Sequence, residues 1–357
     1  MNDSVKMKRN IAIIAGGDSS EHEVSLRSAA GLLGWISEAG YNATIVVLKG
    51  KEWVVGDVQG DKVQCTNIPI DKNDFSYTRG GVKHTFDFAY ITIHGTPGEN
   101  GILQGYLDMI GMPYSCCGVL AAALTFNKYA CNHYLSYFGF HIANSILLRS
   151  TEYRIQSTDL ITERIVKELG LPCFIKSNVG GSSFGCTKVK TVEEVYPAIE
   201  RAFQEGDEVI CESFMQGTEV TCGVYKTKEK AVAFPITEVV THNEFFDYNA
   251  KYKGEVDEIT PARIPDAVRD KIQAETLRLY DIIGAQGIIR VDWIITKTAS
   301  LTEDRPASPD RVQINLLEVN TTPGMTPTSF IPQQVRAAGL DIKDVLTDII
   351  ENKFSNL

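Results

Sequence analysis

The contrast between apolar and polar positions is sharpest towards the C-terminal end. There Ile288 to Ile295 (IIRVDWII) and Val312 to Asn320 (VQINLLEVN) read as strands, because β-branched and apolar residues suit a pleated, half-buried surface. Side chains alternate faces along a strand, so Arg290 shares a face with Asp292, and Glu318 with Asn320. Paired as a hairpin across a polar surface insertion at 296–311, the two arms can present all four on one surface. Two carboxylates and an amide oxygen make a hard, oxygen-only ligand set that suits Mg2+. An arginine beside them suits a phosphoryl group or an oxyanion. A solvated polar face is the competing reading, but the turn TTPGMT from Thr321 puts these residues at a strand end, where sites are commonly built.

The rest of the chain reads in order. Residues 9–117 form an open α/β unit: strand Ile11 to Ala15, a Gly16-Gly17 turn, helix Glu23 to Ala39, and strands Ala43 to Leu48 and Phe86 to His94. Glu21 follows the first strand, at the end where such sheets bind ligands. The Gly16-Gly17 turn lacks the dinucleotide fingerprint. His94 opens HGTPGENG, a loop suited to touching substrate, although on the residues alone this histidine reads better as the end of its strand.

Helical segments Val119 to Ala123 and Asn127 to Phe138, a strand Ser145 to Leu148 and a helix Asp159 to Leu169 lead to a buried-strand pattern ending in Lys176. Next comes SNVGGSSFG, where glycines let backbone N–H groups approach phosphate and Ser182 and Ser183 add hydroxyls. A flexible turn is the alternative, and Lys176 favours phosphate; there is no Walker A pattern.

Thr191 to Glu194 is a capping box opening a helix to Phe203. The strand Val209 to Met215 carries Glu212 in an edge-strand segment, ESFM, whose backbone and carboxylate suit an adenine ring, and Glu219 lies within reach of ribose hydroxyls. Strands Thr221 to Tyr225 and Ala231 to Val240 form a hairpin. The unpatterned stretch Thr241 to Ala262, with its aromatics and Lys251-Tyr252-Lys253, reads as a lid. Helices Pro265 to Ile283, Pro332 to Ala338 and Asp341 to Lys353 complete the chain.

Composition narrows the partners. At 357 residues, 43% hydrophobic and 22% charged, the chain suffices for two or three globular domains. A net charge of -10 argues against nucleic acid or an anionic membrane, so any phosphate site must be assembled locally. The N-terminal residues hold no signal-like or membrane-spanning apolar run, and the cytoplasm is the expected compartment. The eight cysteines show no CxxC spacing and read as reduced packing residues.

Five blocks in one order, GGDSSEHEVSL, HGTPGENGILQGYL, IKSNVGGSSFG, FFDYNAKY and LLEVNTTPGMTPTSF, span nearly the whole chain. Together they resemble the D-alanine-D-alanine ligases of the ATP-grasp superfamily. The resemblance implies an α/β fold (α+β overall) in three parts: an N-terminal open α/β domain at 1–118, a central subdomain at 119–205 and a C-terminal subdomain at 206–357. It implies ATP-dependent joining of two D-alanines through a D-alanyl phosphate, for peptidoglycan precursors, by a homodimer.

By the same resemblance, Lys128, Lys176, Ser183 and Lys251 contact the phosphates of ATP, while Glu212, Phe214 and Glu219 hold its adenine and ribose. Asp292, Glu318 and Asn320 ligate two Mg2+ ions, for which Mn2+ can substitute. Glu21, His94, Arg290, Gly324 and Ser329 surround the D-amino acids, and Glu21, Ser182 and Tyr252 latch the lid, with Arg290 stabilising the oxyanion. Asn100 departs from the aspartate that many relatives carry. Ester-forming relatives have a histidine where this chain has Tyr252, which favours the dipeptide over D-alanyl-D-lactate. A ligase for D-lactate or another amine, and a nucleotide-sensing protein without chemistry, are the alternatives.

Overall fold

Five consecutive buried residues, Ile11 to Ala15, set the first strand, β1 (Asn10–Gly16). It is apolar on both faces because helices cover both. Ile11, Ile13 and Ala15 pack on Ala29, Leu32 and Ile36 of α1 (His22–Glu38). In chain order β2 (Asn42–Lys49), β3 (Glu52–Gln59), β4 (Lys62–Asp71), β5 (Ser76–Arg79), β6 (Val82–His84), β7 (Phe88–Ile91) and α2 (Ile102–Met109) follow. Ala12 and Ile14 pack towards Leu103 and Leu107 of α2. The sheet runs β6-β5-β4-β3-β2-β1-β7, parallel across β2, β1 and β7 and antiparallel through the meander. The strand expected over Phe86 to His94 is only four residues long, so His94 lies beyond it in the loop.

This computed structural model describes residues 8–60, 62–154, 157–181, 185–241, 256–297 and 312–355. Ser182, Ser183, Lys251 and Tyr252 therefore lie outside the described residues, as do most of the expected lid and insertion.

Helices α3 (Val119–Phe126) and α4 (Lys128–Tyr137) lead into a second layer: β8 (Ser145–Arg149), α5 (Ser150–Tyr153), α6 (Thr158–Leu169), β9 (Cys173–Ser177), β10 (Thr187–Val189), α7 (Val192–Phe203) and β11 (Glu208–Ser213). Its sheet, ordered β10-β9-β11-β8, has its own core with Ile161 and Ile165 of α6 and Val195, Ile199 and Ala202 of α7. Glu194 reaches back to the Thr191 amide at 3.3 Å, as the capping pattern expects. One expectation fails: β11 pairs with β8 and β9 on its two sides, so Glu212 stands on an internal strand and not an edge. Only Phe214 and Met215, past the strand end, leave their backbone outside the ladder.

The third layer holds β12 (Thr218–Lys226), β13 (Ala231–Ala233), β14 (Thr237–Thr241), β15 (Val256–Ile259), α8 (Asp266–Ile282), β16 (Ile288–Lys297), β17 (Val312–Asn320), α9 (Phe330–Ala337) and α10 (Ile342–Asn352). The expected single strand Ala231 to Val240 is broken in two around Pro235, which has no N–H to give a ladder. The stretch read as an unpatterned lid begins and ends in paired strands, Thr241 opposite Val256.

The sheet runs β15-β14-β12-β16-β17. One face packs on α8 through Val220, Cys222, Val224, Val291 and Trp293. Helices α3 and α4 join that same core through Ala121, Cys131 and Leu135. Helix α10 returns to α1, where Val345, Leu346 and Ile349 share a core with Ile11, Leu32 and Tyr225. All eight cysteines are free; six are buried, Cys186 is half-buried and Cys65 is exposed.

Candidate active site

The pairing of β16 with β17 sets Arg290 opposite Asn320 and Asp292 opposite Glu318, and a bulge follows at Asp292/Trp293. Residues opposite one another on antiparallel strands project to one face, so the four polar side chains share a surface, as the alternation predicts. On the other side of β16, β12 adds Thr221 opposite Asp292 and Glu219 opposite Ile294. The face opens into a cavity of about 460 Å³ lined from all three layers.

The cations arrive from two other elements. Asn127 caps α4 by accepting from the Ala130 amide at 2.9 Å, which starts the helix at Lys128. The Lys128 ammonium donates to the Gly180 carbonyl at 2.5 Å and stands 3.8 Å from Glu318. Lys176 on β9 pairs with Glu212 on β11 at 2.6 Å. Burial alone would pull the Lys176 ammonium down, but attraction from Glu212 outweighs it and holds the group protonated. Phe214 lies 6.0 Å from Phe174 between ring centroids, with the Lys188 ammonium 4.1 Å over its own ring. Flat apolar surfaces beside a buried carboxylate suit a purine base.

Arg290 makes a two-pronged contact with Asp292, at 2.9 and 2.8 Å, and its guanidinium lies 5.3 Å from the Phe330 ring centre. Burial opposes its charge, yet Asp292 more than restores it. Glu219 shows the reverse balance. Burial and then repulsion from Asp292 push its carboxyl up to about 8, against the pull of Arg290.

The amino-terminal domain supplies the end wall. Glu21 immediately precedes α1, and Gly181 approaches it so closely that a Cβ there would lie 2.6 Å from the carboxylate. A side chain at 181 would therefore displace the Glu21 carboxylate from its present place. The backbone carbonyl of His94 accepts from Ser19 at 2.7 Å, and its side chain lines the cavity. Glu99, given no role in the sequence reading, lines it as well and accepts from the Gly95 amide at 2.6 Å. Burial, reinforced by the charge of Glu21, raises its carboxyl to about 7. Its signal was a carboxylate five positions after His94 inside a glycine-rich loop. Asn100 instead closes that loop, donating to Thr96 at 3.0 Å and accepting from the Ile102 amide at 3.2 Å.

Gly324 and Ser329 are not among the described residues of the cavity wall. They shape the turn behind it: Ser329 accepts from the Thr326 amide at 3.1 Å, and a Cβ on Gly324 would come within 2.9 Å of the Ser329 hydroxyl. Phe330, the next residue, does line the cavity.

Two observations bear on metal ions. The Asn320 Oδ1 is buried with no hydrogen-bond partner, as an oxygen reserved for a ligand is. Seven acidic side chains against three basic ones occur among the described lining residues, so a polyphosphate would be repelled unless cations entered with it. Among the described residues no three Asp, Glu, His or Cys side chains converge on one point. Asp292 and Glu318 together with the Asn320 amide would make an all-oxygen donor set, of the kind that fits Mg2+ or Mn2+.

An open α/β domain followed by two further sheets around a carboxylate-rich cavity that also carries Lys128, Lys176 and Arg290 is the arrangement of the ATP-grasp ligases. The comparisons agree: a D-alanyl-alanine synthetase A from Vibrio cholerae superposes with a TM-score of 0.79 at 27% identity, covering 97% of this chain and 98% of that one. A D-Ala:D-Ser ligase from Enterococcus faecalis gives the same TM-score and identity over 97% and 99%. The family models described as D-ala D-ala ligase N-terminus and C-terminus match residues 10–117 and 134–351. A D-alanine–D-alanine ligase from Bacteroides fragilis is 61% identical over 98% of this chain and 100% of its own length. The chain belongs to the D-alanine–D-alanine ligase family.

Proposed function

We propose that this chain joins two molecules of D-alanine, with ATP cleaved to ADP and phosphate, for peptidoglycan precursor synthesis. The observation that carries the reading is the register of β16 on β17, which aligns Arg290, Asp292, Glu318 and Asn320 opposite the ammonium groups of Lys128 and Lys176.

A carboxylate is a poor acyl donor. One oxygen of the first D-alanine attacks the γ-phosphorus and ADP leaves; the amine of the second attacks the acyl phosphate carbonyl, loses a proton and expels phosphate. Lys128 and Lys176 offset the charge of the phosphates, and Glu212, Phe214 and Glu219 seat the base and sugar. Arg290 exchanges part of its contact with Asp292 for the oxyanion of the second step. Glu21 and His94 orient the first D-alanine, with Glu99 fixing the loop that carries His94. Asp292, Glu318 and Asn320 hold Mg2+, or Mn2+ in its place. When bound, the metal neutralises the phosphate oxygens that gain charge during transfer.

A second reading, an amide or ester with a different second substrate, is favoured by the Enterococcus faecalis ligase that shares the fold. Purified protein given ATP, D-alanine and equal D-serine or D-lactate at pH 6, 7 and 8 decides between them. D-alanyl-D-alanine should dominate at pH 7, and a preference for either competitor removes the D-alanyl-D-alanine assignment. Among the described residues no helix is long and apolar enough to cross a membrane; with ATP as substrate, the cytoplasm is the compartment we propose. We also propose a homodimer, which sedimentation can test.

A further inference from the structure

We propose that Thr221, to which neither the resemblance nor the comparisons give a role, is a positioning residue that fixes Asp292 for its cation; the inference rests on Asp292 being a metal ligand. Thr221 is 1% exposed and faces the cavity from β12, directly opposite Asp292. Its hydroxyl donates to the Asp292 Oδ1 at 2.5 Å, the same oxygen that accepts from the Arg290 Nε at 2.9 Å. One carboxylate oxygen is thus shared between a fixed neutral donor and a cation on a long side chain.

The threonine is itself held. Gln334 of α9, fully buried, donates from Nε2 to the Thr221 carbonyl at 3.0 Å and to the Thr237 hydroxyl at 3.1 Å, and its Oε1 accepts from the Gly223 amide at 2.9 Å. Gly223 has no side chain for a reason: a Cβ there would fall 2.7 Å from that Oε1. The backbone on either side of Cys222 is therefore clamped to the helix. The Thr221 hydroxyl is delivered from a rigid frame, as a group that orients a metal ligand must be.

The physical consequence is a division of labour. Arg290 must be able to leave Asp292 for substrate, and an incoming cation competes with its positive charge. A neutral hydroxyl does neither, so it keeps the carboxylate in one rotamer while its charged partners change. Without the hydroxyl, the two-pronged contact with Arg290 is what holds Asp292, so the carboxylate follows the arginine when it moves and the cation site weakens.

The test compares Thr221→Val and Thr221→Ala, which lack the hydroxyl, with Thr221→Ser, which keeps it. Mn2+ binding is read by electron paramagnetic resonance in the presence of ADP, alongside kcat and the KM for D-alanine. The two hydroxyl-free variants should bind Mn2+ about tenfold more weakly and lose kcat by about tenfold or more, with KM for D-alanine little changed and the serine variant near wild type. Equal Mn2+ affinity in wild type and either hydroxyl-free variant overturns the proposal, as does an equal loss in the serine variant. Absence of Mn2+ binding to the wild type would instead overturn the metal-ligand reading beneath it.

Discussion

Glu318 concentrates the site's chemistry in one carboxylate, because it faces Asp292 across the strand pair and Lys128 across the cavity. Glu318→Gln keeps the shape and removes the charge. Turnover should fall roughly a thousandfold, the scale of a lost Lewis-acid contact, while the circular dichroism spectrum stays unchanged; near-normal Mg2+-dependent activity would refute the ligand assignment. Glu219 makes a second prediction, on stability. Its carboxyl is raised from 4.5 to about 8, so the folded protein keeps a proton that the unfolded chain gives up. Unfolding then releases that proton, and ligand-free stability falls as pH rises between 4.5 and 8 and levels off above. Glu219→Gln should flatten that fall by an amount on the order of a few kcal/mol. Urea unfolding at pH 5 and pH 8 measures it, and an unchanged slope in the variant would show that Glu219 ionises freely.

At the scale of elements, entry to β16 is set by Gly287, which has φ +68° and whose absent Cβ would overlap the Ser115 carbonyl oxygen. Gly284 has a similar φ of +63° but open space around it. Gly284→Ala should cost about 1 kcal/mol from backbone strain alone, whereas Gly287→Ala should cost several-fold more because Ser115 and Cys116 must move. Thermal unfolding of the two variants checks this, and equal losses would mean that the β16 entry can relax. The same contrast explains what the sequence could and could not disclose. β1, β16 and β17 are legible because burial on one or both faces writes a local apolar pattern, and strand alternation was enough to put Arg290 with Asp292 and Glu318 with Asn320, while their register needed the fold. The meander at 52–84 is not legible, since residues such as Gln64, Asn67 and Pro69 on β4 dilute its alternation. The internal position of β11 depends on pairing with β8, more than fifty residues away, which no local pattern records. Glu99 and Thr221 were missed for a related reason: their importance arises from what the fold sets beside them, not from their neighbours in the chain.

At the scale of the molecule, two sheets are tied together while the third is built separately. Helix α10 joins the core of β1 and α1 to Tyr225 of the β12 sheet, with Arg9 and Tyr41 both reaching Glu351. The β8–β11 sheet keeps its own core and offers Lys176, Glu212 and Phe214 from the opposite side. Under the proposed function, Lys176, Glu212 and Phe214 from this sheet meet Lys128 and Glu219 from the β12 side around the nucleotide, and the γ-phosphate meets the substrate carboxylate between them and the Glu21 and His94 wall. The most direct measurement follows the oxygen that passes from that carboxylate to the phosphate. D-alanine labelled with 18O in both carboxylate positions is incubated with the enzyme, Mg2+ and ATP, and the phosphate released is analysed by mass spectrometry. The account predicts one 18O in each phosphate formed, matched one for one with D-alanyl-D-alanine and ADP; unlabelled phosphate, or AMP with pyrophosphate, would contradict it.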